Sequence, residues 1–173
     1  MPSMLGFSHI DLTVTDCRRS ADWWTDVLGF ILVHQVRQDT FECMAMAHPS
    51  GIGVTVMSHD GTAASDKFDE RRVGLDHLAF RVADGEELRK WVAHFDEKGV
   101  PHTGIIDTGY GPTVVFRDPD NLQLEFFVHV STDQKAVEMT EADSPEAHRL
   151  LAEADAGLKG ESQPQGFVRP TAT

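Results

Sequence analysis

The sequence predicts an α+β chain made of two paired βαβββ modules followed by a C-terminal helical tail. Three observations carry this prediction. The stretch "GFSHIDLTVTD" (Gly6 to Asp16) returns as "GLDHLAFRVAD" (Gly74 to Asp84), with Gly, His, Val and Asp at matching places. Trp23 and Trp91 stand 68 positions apart, as His9 and His77 do, so the register continues beyond the repeated strand. The same order of strand-like and helix-like patterns then follows each copy, and an internal repeat of this kind speaks directly to fold.

In residues 1–58, Phe7, His9, Asp11 and Thr13 alternate with Ser8, Ile10, Leu12 and Val14, the period of a strand with one apolar face. Asp16 is placed to cap a helix carrying Trp23, Val27 and Leu28 at helical spacing, and Gly29 suits its end. Three strands follow at Phe30 to Arg37, Phe41 to Ala47 and Ile52 to Ser58, with a turn at Pro49, Ser50 and Gly51. Residues 59–73 are polar and aperiodic and read as a linker.

The second module, 74–130, repeats the scheme. A strand covers Leu75 to Val82. Asp84 and Glu87 make a capping-box-like start for a helix to about Lys98, and Gly99 stops it. Strands near His102 to Asp107, Thr113 to Arg117 and Leu122 to His129 follow, the last two joined by "RDPDN". In the extension 131–173, Ser144 and Pro145 open a short amphipathic helix with Ala147, Leu150, Leu151 and Ala154 on one stripe, suited to the core or to a second subunit.

The chain has 173 residues and a formal net charge of −13, which excludes nucleic acid and anionic membranes as natural partners. No apolar run approaches the ~20 residues of a membrane span. The start "MPSMLGFSHI" lacks a secretion pattern, so a cytoplasmic protein is expected. Cys17 and Cys43 match no metal or redox spacing and read as buried thiols in a reducing compartment.

Three residues could carry chemistry together. His9 and His77 hold equivalent places on equivalent strands. Glu125, in "FRDPDNLQLEFF", alternates with Leu122, Leu124 and Phe126 and so faces the less apolar side, where a carboxylate needs a partner or a metal. Two imidazoles and one carboxylate form the facial triad that suits Fe(II), and the same set holds Mn(II), Zn(II), Co(II) or Ni(II). Either histidine alone would read as a packed strand side chain; the register and Glu125 make the metal reading the stronger one.

The motifs "SHIDLTVTD", "SADWWTDVLGF", "GLDHLAFRVAD" and "VVFRDPDNLQLEFF" resemble the vicinal oxygen chelate superfamily, which includes glyoxalase I, extradiol ring-cleaving dioxygenases, fosfomycin resistance enzymes, methylmalonyl-CoA epimerase and bleomycin-binding proteins. The resemblance covers about residues 5 to 130. It implies a curled mixed sheet around a metal cavity, one divalent ion held by His9, His77 and Glu125, a small-molecule substrate and a homodimer. In relatives the modules pair within a chain or across a dimer, and in the second case His9 would face the His77 and Glu125 of another subunit. Glyoxalase I and the epimerase place Glu or Gln where this chain has Thr55, which leaves a three-ligand site.

The expected activity is that of an Fe(II) extradiol-type dioxygenase acting on a small oxygenated aromatic molecule. The alternatives are a metal-dependent lyase, isomerase or transferase, or a non-catalytic drug-binding protein. Tyr110 is the candidate catalytic residue near the metal. Phe7, Thr55, Met57, Arg81, Phe127 and His129 are candidate substrate contacts, and His34, His48, His59 and His102 complete the histidines considered as acid–base groups.

Overall fold

The computed structural model describes residues 7–109 and 111–129, which belong to one compact unit. Tyr110 and the expected tail helix lie outside the described residues. The order is β1 (Ile10–Thr13), α1 (Cys17–Leu28), β2 (Ile31–Arg37), β3 (Phe41–Ala47), β4 (Gly53–His59), β5 (Leu78–Val82), α2 (Gly85–Lys98), β6 (Ile106–Asp107), β7 (Pro112–Arg117) and β8 (Gln123–Val128). The eight strands form two four-stranded mixed sheets with the same internal order, β1-β4-β3-β2 and β5-β8-β7-β6. In each, the first strand runs parallel to the last and the remaining pairs are antiparallel.

The helix ends follow local chemistry. Asp16 accepts the amide of Arg19 at 2.9 Å, and Asp84 accepts the amides of Glu86 and Glu87 at 2.8 and 3.0 Å. Gly29 and Gly99 close both helices in the left-handed conformation, at φ 74° and 67°. Glu87 does not complete a capping box by reaching back; its carboxylate pairs with Lys90 at 2.6 Å, a stronger partner than a neutral amide.

One apolar core serves both modules. Leu12, Met44, Val54 and Val56 of the first sheet and Phe80, Val114, Phe116, Leu124 and Phe126 of the second are buried in the same cluster with residues of both helices. Trp24 of α1 meets Phe30 of its own module at 5.1 Å and Phe80 of the other at 6.1 Å, and Trp23 stacks on Phe116 at 6.5 Å. The helices touch through His94 Nε2 and the Val27 carbonyl, 3.0 Å, and through Lys98 and Asp26, 2.6 Å. Each sheet therefore turns its helix side to the shared core and its other face away.

Three details differ from the pattern reading. β1 begins at Ile10, so Phe7 and His9 precede the strand, and His77 likewise precedes β5. β6 is two residues long, with His102 reaching β7 by an isolated bridge to Phe116. The polar stretch 59–73 is tied to the β7–β8 turn: the Phe68 amide donates to the Asp120 carbonyl at 2.8 Å, Asn121 Nδ2 donates to the Phe68 carbonyl at 2.9 Å, and Arg117 pairs with Glu70 at 2.9 Å. Backbone donors aimed at a turn leave no periodic trace in a sequence. Cys17 is buried and donates to the Glu42 carbonyl at 3.1 Å, and burial pushes its thiol up; Cys43 is half-buried, and neither forms a disulfide.

Candidate metal centre

β8 alternates buried Leu124, Phe126 and Val128 with Gln123, Glu125 and Phe127 on the outward face. Its parallel neighbour β5 sets Ala79 opposite Glu125 and Arg81 opposite Phe127. Two residues before Ala79 stands His77, and its Nε2 lies 3.1 Å from Glu125 Oε2. The carboxylate is mostly enclosed, at 14% exposure, while the imidazole stays open at 41%.

Both side chains are held from behind. Asp76 Oδ1 lies 2.6 Å from His77 Nδ1, a contact that orients the ring with Nε2 toward Glu125. The buried Thr113, on β7, donates its hydroxyl to Glu125 Oε1 and also lies 2.9 Å from the Phe126 carbonyl. Oε1 is thus engaged while Oε2 faces His77. Two donors bound to one ion at 2.0–2.2 Å in adjacent positions stand about 3 Å apart, so the Nε2–Oε2 spacing suits a shared divalent ion. Asp76 and Thr113 escaped the sequence reading; only their register beside His77 and across from β8 reveals them.

His9 does not join this pair within the chain. It is exposed, with Nε2 3.9 Å from Asp11 Oδ1 and Nδ1 3.0 Å from Ser8 Oγ. Among the described residues no group of three His, Cys, Asp or Glu side chains converges on one point. His9 instead occupies the corresponding place on the other sheet. A side chain at Gly53 would come within 3.6 Å of its β-carbon, so His9 overlies β4 on the outward face. The register strengthens the equivalence: Asp11 pairs with Thr55 as Ala79 pairs with Glu125, and 11 + 68 = 79. Thr55 is the counterpart of Glu125.

The expected substrate contacts divide between the faces. Thr55 and Met57 lie on the His9 face, and Phe7, two residues before His9, is exposed; Arg81, Phe127 and His129 belong to the His77 side, where the rings of Phe127 and His129 meet at 6.5 Å. The remaining histidines have other attachments. His48 bonds Ser50, His59 packs near Phe41, and His102 Nε2 reaches Asp96 at 3.1 Å. His34 is exposed on β2.

A solved glyoxylase/bleomycin resistance protein/dioxygenase domain from Frankia sp. EAN1pec is 34% identical, with a TM-score of 0.70, and covers 74% of this chain and all of its own. The fosfomycin resistance protein FosX of Listeria monocytogenes, solved with Mn(II) and sulfate, shares the fold at 20% identity and a TM-score of 0.57, over 74% of this chain and 93% of its own. The Bacillus subtilis (strain 168) protein named "Putative ring-cleaving dioxygenase MhqA" is 27% identical over 91% of this chain, which spans about half of it, 52%. Among the described residues no helix is long and apolar enough to cross a membrane. The family model described as the Glyoxalase/Bleomycin resistance protein/Dioxygenase superfamily matches residues 6–126, and the chain belongs to that superfamily.

Proposed function

We propose that the protein is a metal-dependent enzyme whose site is completed across a homodimer, with His77 and Glu125 from one chain and His9 from its partner holding one divalent ion. The observation that carries this reading is the division of the site. His77 and Glu125 stand together with their orientations set by Asp76 and Thr113, while His9 sits exposed on the equivalent outward face of the other module, its polar contacts among the described residues being with Asp11 and Ser8. Exposed Phe7, Ile31, Leu32 and Val33 of the first module and Ile105 and Ile106 of the second are apolar surface that a second copy would cover.

The favoured reaction is ring cleavage of a small oxygenated aromatic molecule with Fe(II) as the metal, in line with the likeness to the ring-cleaving dioxygenase name above. A bound divalent ion would supply a Lewis-acid centre for two neighbouring substrate oxygens, or for one of them and dioxygen. The chain's own residues prepare that place. Asp76 orients the His77 ring and would hold its proton on Nδ1 when Nε2 binds a metal, and Thr113 holds Glu125 in one orientation. Phe127 and Met57 offer apolar walls to a flat ring, Thr55 a hydroxyl, and Arg81 a cation beside the rim that favours an ionised substrate oxygen. Tyr110 and His129 are the proposed proton-handling neighbours.

The test is metal content and oxygen uptake of protein purified without chelator, beside His77→Ala. About one iron per site, lost in the variant, with oxygen consumed on adding catechols, supports the dioxygenase. Stoichiometric manganese, zinc, cobalt or nickel without oxygen uptake moves the reading to a lyase, isomerase or transferase. No metal after anaerobic reconstitution leaves a small-molecule binding protein.

A further inference from the structure

The repeat gives the molecule two related turns between its modules, and only one of them is locked. In the β7–β8 turn the Asp118 amide donates to the Leu122 carbonyl and the Asn121 amide to the Asp118 carbonyl; in the β3–β4 turn the His48 amide donates to Ile52 and the Gly51 amide to His48. Asn121 and Gly51 hold the same left-handed position, φ 67° and 91°. Asp120 in the first turn reaches across to the other module, accepting the Thr15 amide and hydroxyl, each at 2.7 Å, and the Arg19 guanidinium. The counterpart of Asp120 is Ser50, and the residues 68 positions after Thr15 and Arg19 are Ala83 and Glu87. A hydroxyl, a methyl and a carboxylate at those positions include no cation and cannot rebuild that ionic lock.

A pocket of about 180 Å³ lies at the unlocked turn. Phe30, Ile52, Phe80, Trp91 and Phe126 form its apolar wall, with His48 and Ser50 at the turn and Arg81 beside Phe80. The rings stand close together, 5.2 Å from Phe30 to His48, 6.4 Å from Phe30 to Phe80 and 4.4 Å from Trp91 to Phe126. It adjoins a wider cleft that shares Leu28, His48 and Trp91, which gives a route in. His48 Nδ1 accepts the Ser50 amide at 3.1 Å, so the neutral ring carries its proton on Nε2. Burial lowers the His48 pKa and keeps the ring neutral near pH 7. The pocket thus offers aromatic walls and the neutral His48 N–H, with Ser50 and Arg81 also in its lining.

We propose that this pocket binds a small monocyclic aromatic molecule that presents one hydrogen-bond acceptor to His48 Nε2. An apolar cavity of about 150 Å³ is enough to take benzene, so one substituted ring fits. The pocket lies on the helix side of both sheets, the side of Phe80 and Phe126, whereas His77 and Glu125 face the other way. It is therefore a second site, one that contains neither His77 nor Glu125 and shares only Arg81 with the residues assigned to the metal face.

The test is an NMR titration of the ¹⁵N-labelled full chain with acetophenone, which has one carbonyl acceptor and no chelating oxygen pair, followed at the Trp91 indole. The expected result is a saturable shift with a Kd on the order of 1 mM. His48→Leu should weaken it about three- to tenfold, the worth of one hydrogen bond. Ile52→Phe, which fills the wall, should abolish it, and His77→Ala should leave it unchanged. A shift that grows linearly without saturating overturns the proposal. So does a Kd unchanged in both His48→Leu and Ile52→Phe, or binding lost in His77→Ala, which would place the ketone at the metal centre.

Discussion

The β3–β4 turn "HPSG" and the β7–β8 turn "DPDN" share a backbone and differ in what their side chains do. Asp120 carries a charge into the seam, and Thr15, Arg19 and Lys67 answer it. Ser50 turns back onto its own His48 at 2.7 Å, and a pocket remains. The outward faces show the same divergence: His77 keeps a carboxylate partner in Glu125, while His9 overlies a strand that offers Thr55. Duplication preserved the strand order and the turn conformation; side-chain divergence made one copy the lock and the ligand pair, the other the open seam and the single histidine.

The largest expected effect falls on the locked turn. Asp120→Ala removes a nearly buried carboxylate and strands the Thr15 amide and hydroxyl and the Arg19 charge. It should lower unfolding free energy by about 2–4 kcal/mol in urea titrations; a loss near zero would mean that the two seams are equivalent. Thr113→Val tests the faces in the same way. Leaving Glu125 Oε1 without its donor should weaken metal affinity about 10- to 100-fold, read by competition with a chelator, with little change in fold.

The two aspartates of the locked turn should respond to pH with opposite signs. Burial pushes Asp118 up to about 6, and its Oδ2 has no hydrogen-bond partner among the described residues. Its folded pKa exceeds the unfolded 3.8, so its contribution is fully present below pH 3.8 and is lost as pH rises through about 6. For Asp120, burial also raises the pKa, but the Thr15 hydroxyl and amide and the Arg19 guanidinium outweigh it and bring the net below 3.8. Its contribution is present above pH 3.8 and is lost as pH falls through the lower folded value. Asp118→Asn should therefore gain stability relative to the parent between pH 4 and pH 7, by about 1–2 kcal/mol, in denaturation at several pH values. A difference independent of pH would contradict the assignment. Ser50→Ala at the open turn should change stability least, by under about 1 kcal/mol.

Much of the fold was legible because it is written locally. Asp16, Asp84, Gly29 and Gly99 mark helix ends by side-chain chemistry that acts within a few residues. The alternation of β8 turned Glu125 to the outward face without any tertiary knowledge. What escaped is relational. Thr113 looks like an ordinary strand residue until β7 is set in register with β8, and Asp76 is one acidic residue among many until its oxygen is beside Nδ1. The docking of 59–73 through Phe68 and Asn121 rests on backbone groups that every sequence possesses. The distance between His9 and the His77–Glu125 pair was the least legible feature, since equivalence in a repeat does not say whether two copies meet in one chain or across two.

That last point has a direct test in subunit complementation. His9→Ala and His77→Ala proteins are purified apart, mixed in equal amounts, allowed to exchange subunits and assayed for bound metal. In a shared site each parent variant binds none, but every mixed dimer pairs the intact His9 of one chain with the intact His77 and Glu125 of the other. With half of the dimers mixed and one of two sites restored in each, the mixture should recover about one quarter of the wild-type metal. No recovery on mixing, or a His9→Ala protein that binds metal as the wild type does, would contradict a centre built from two chains.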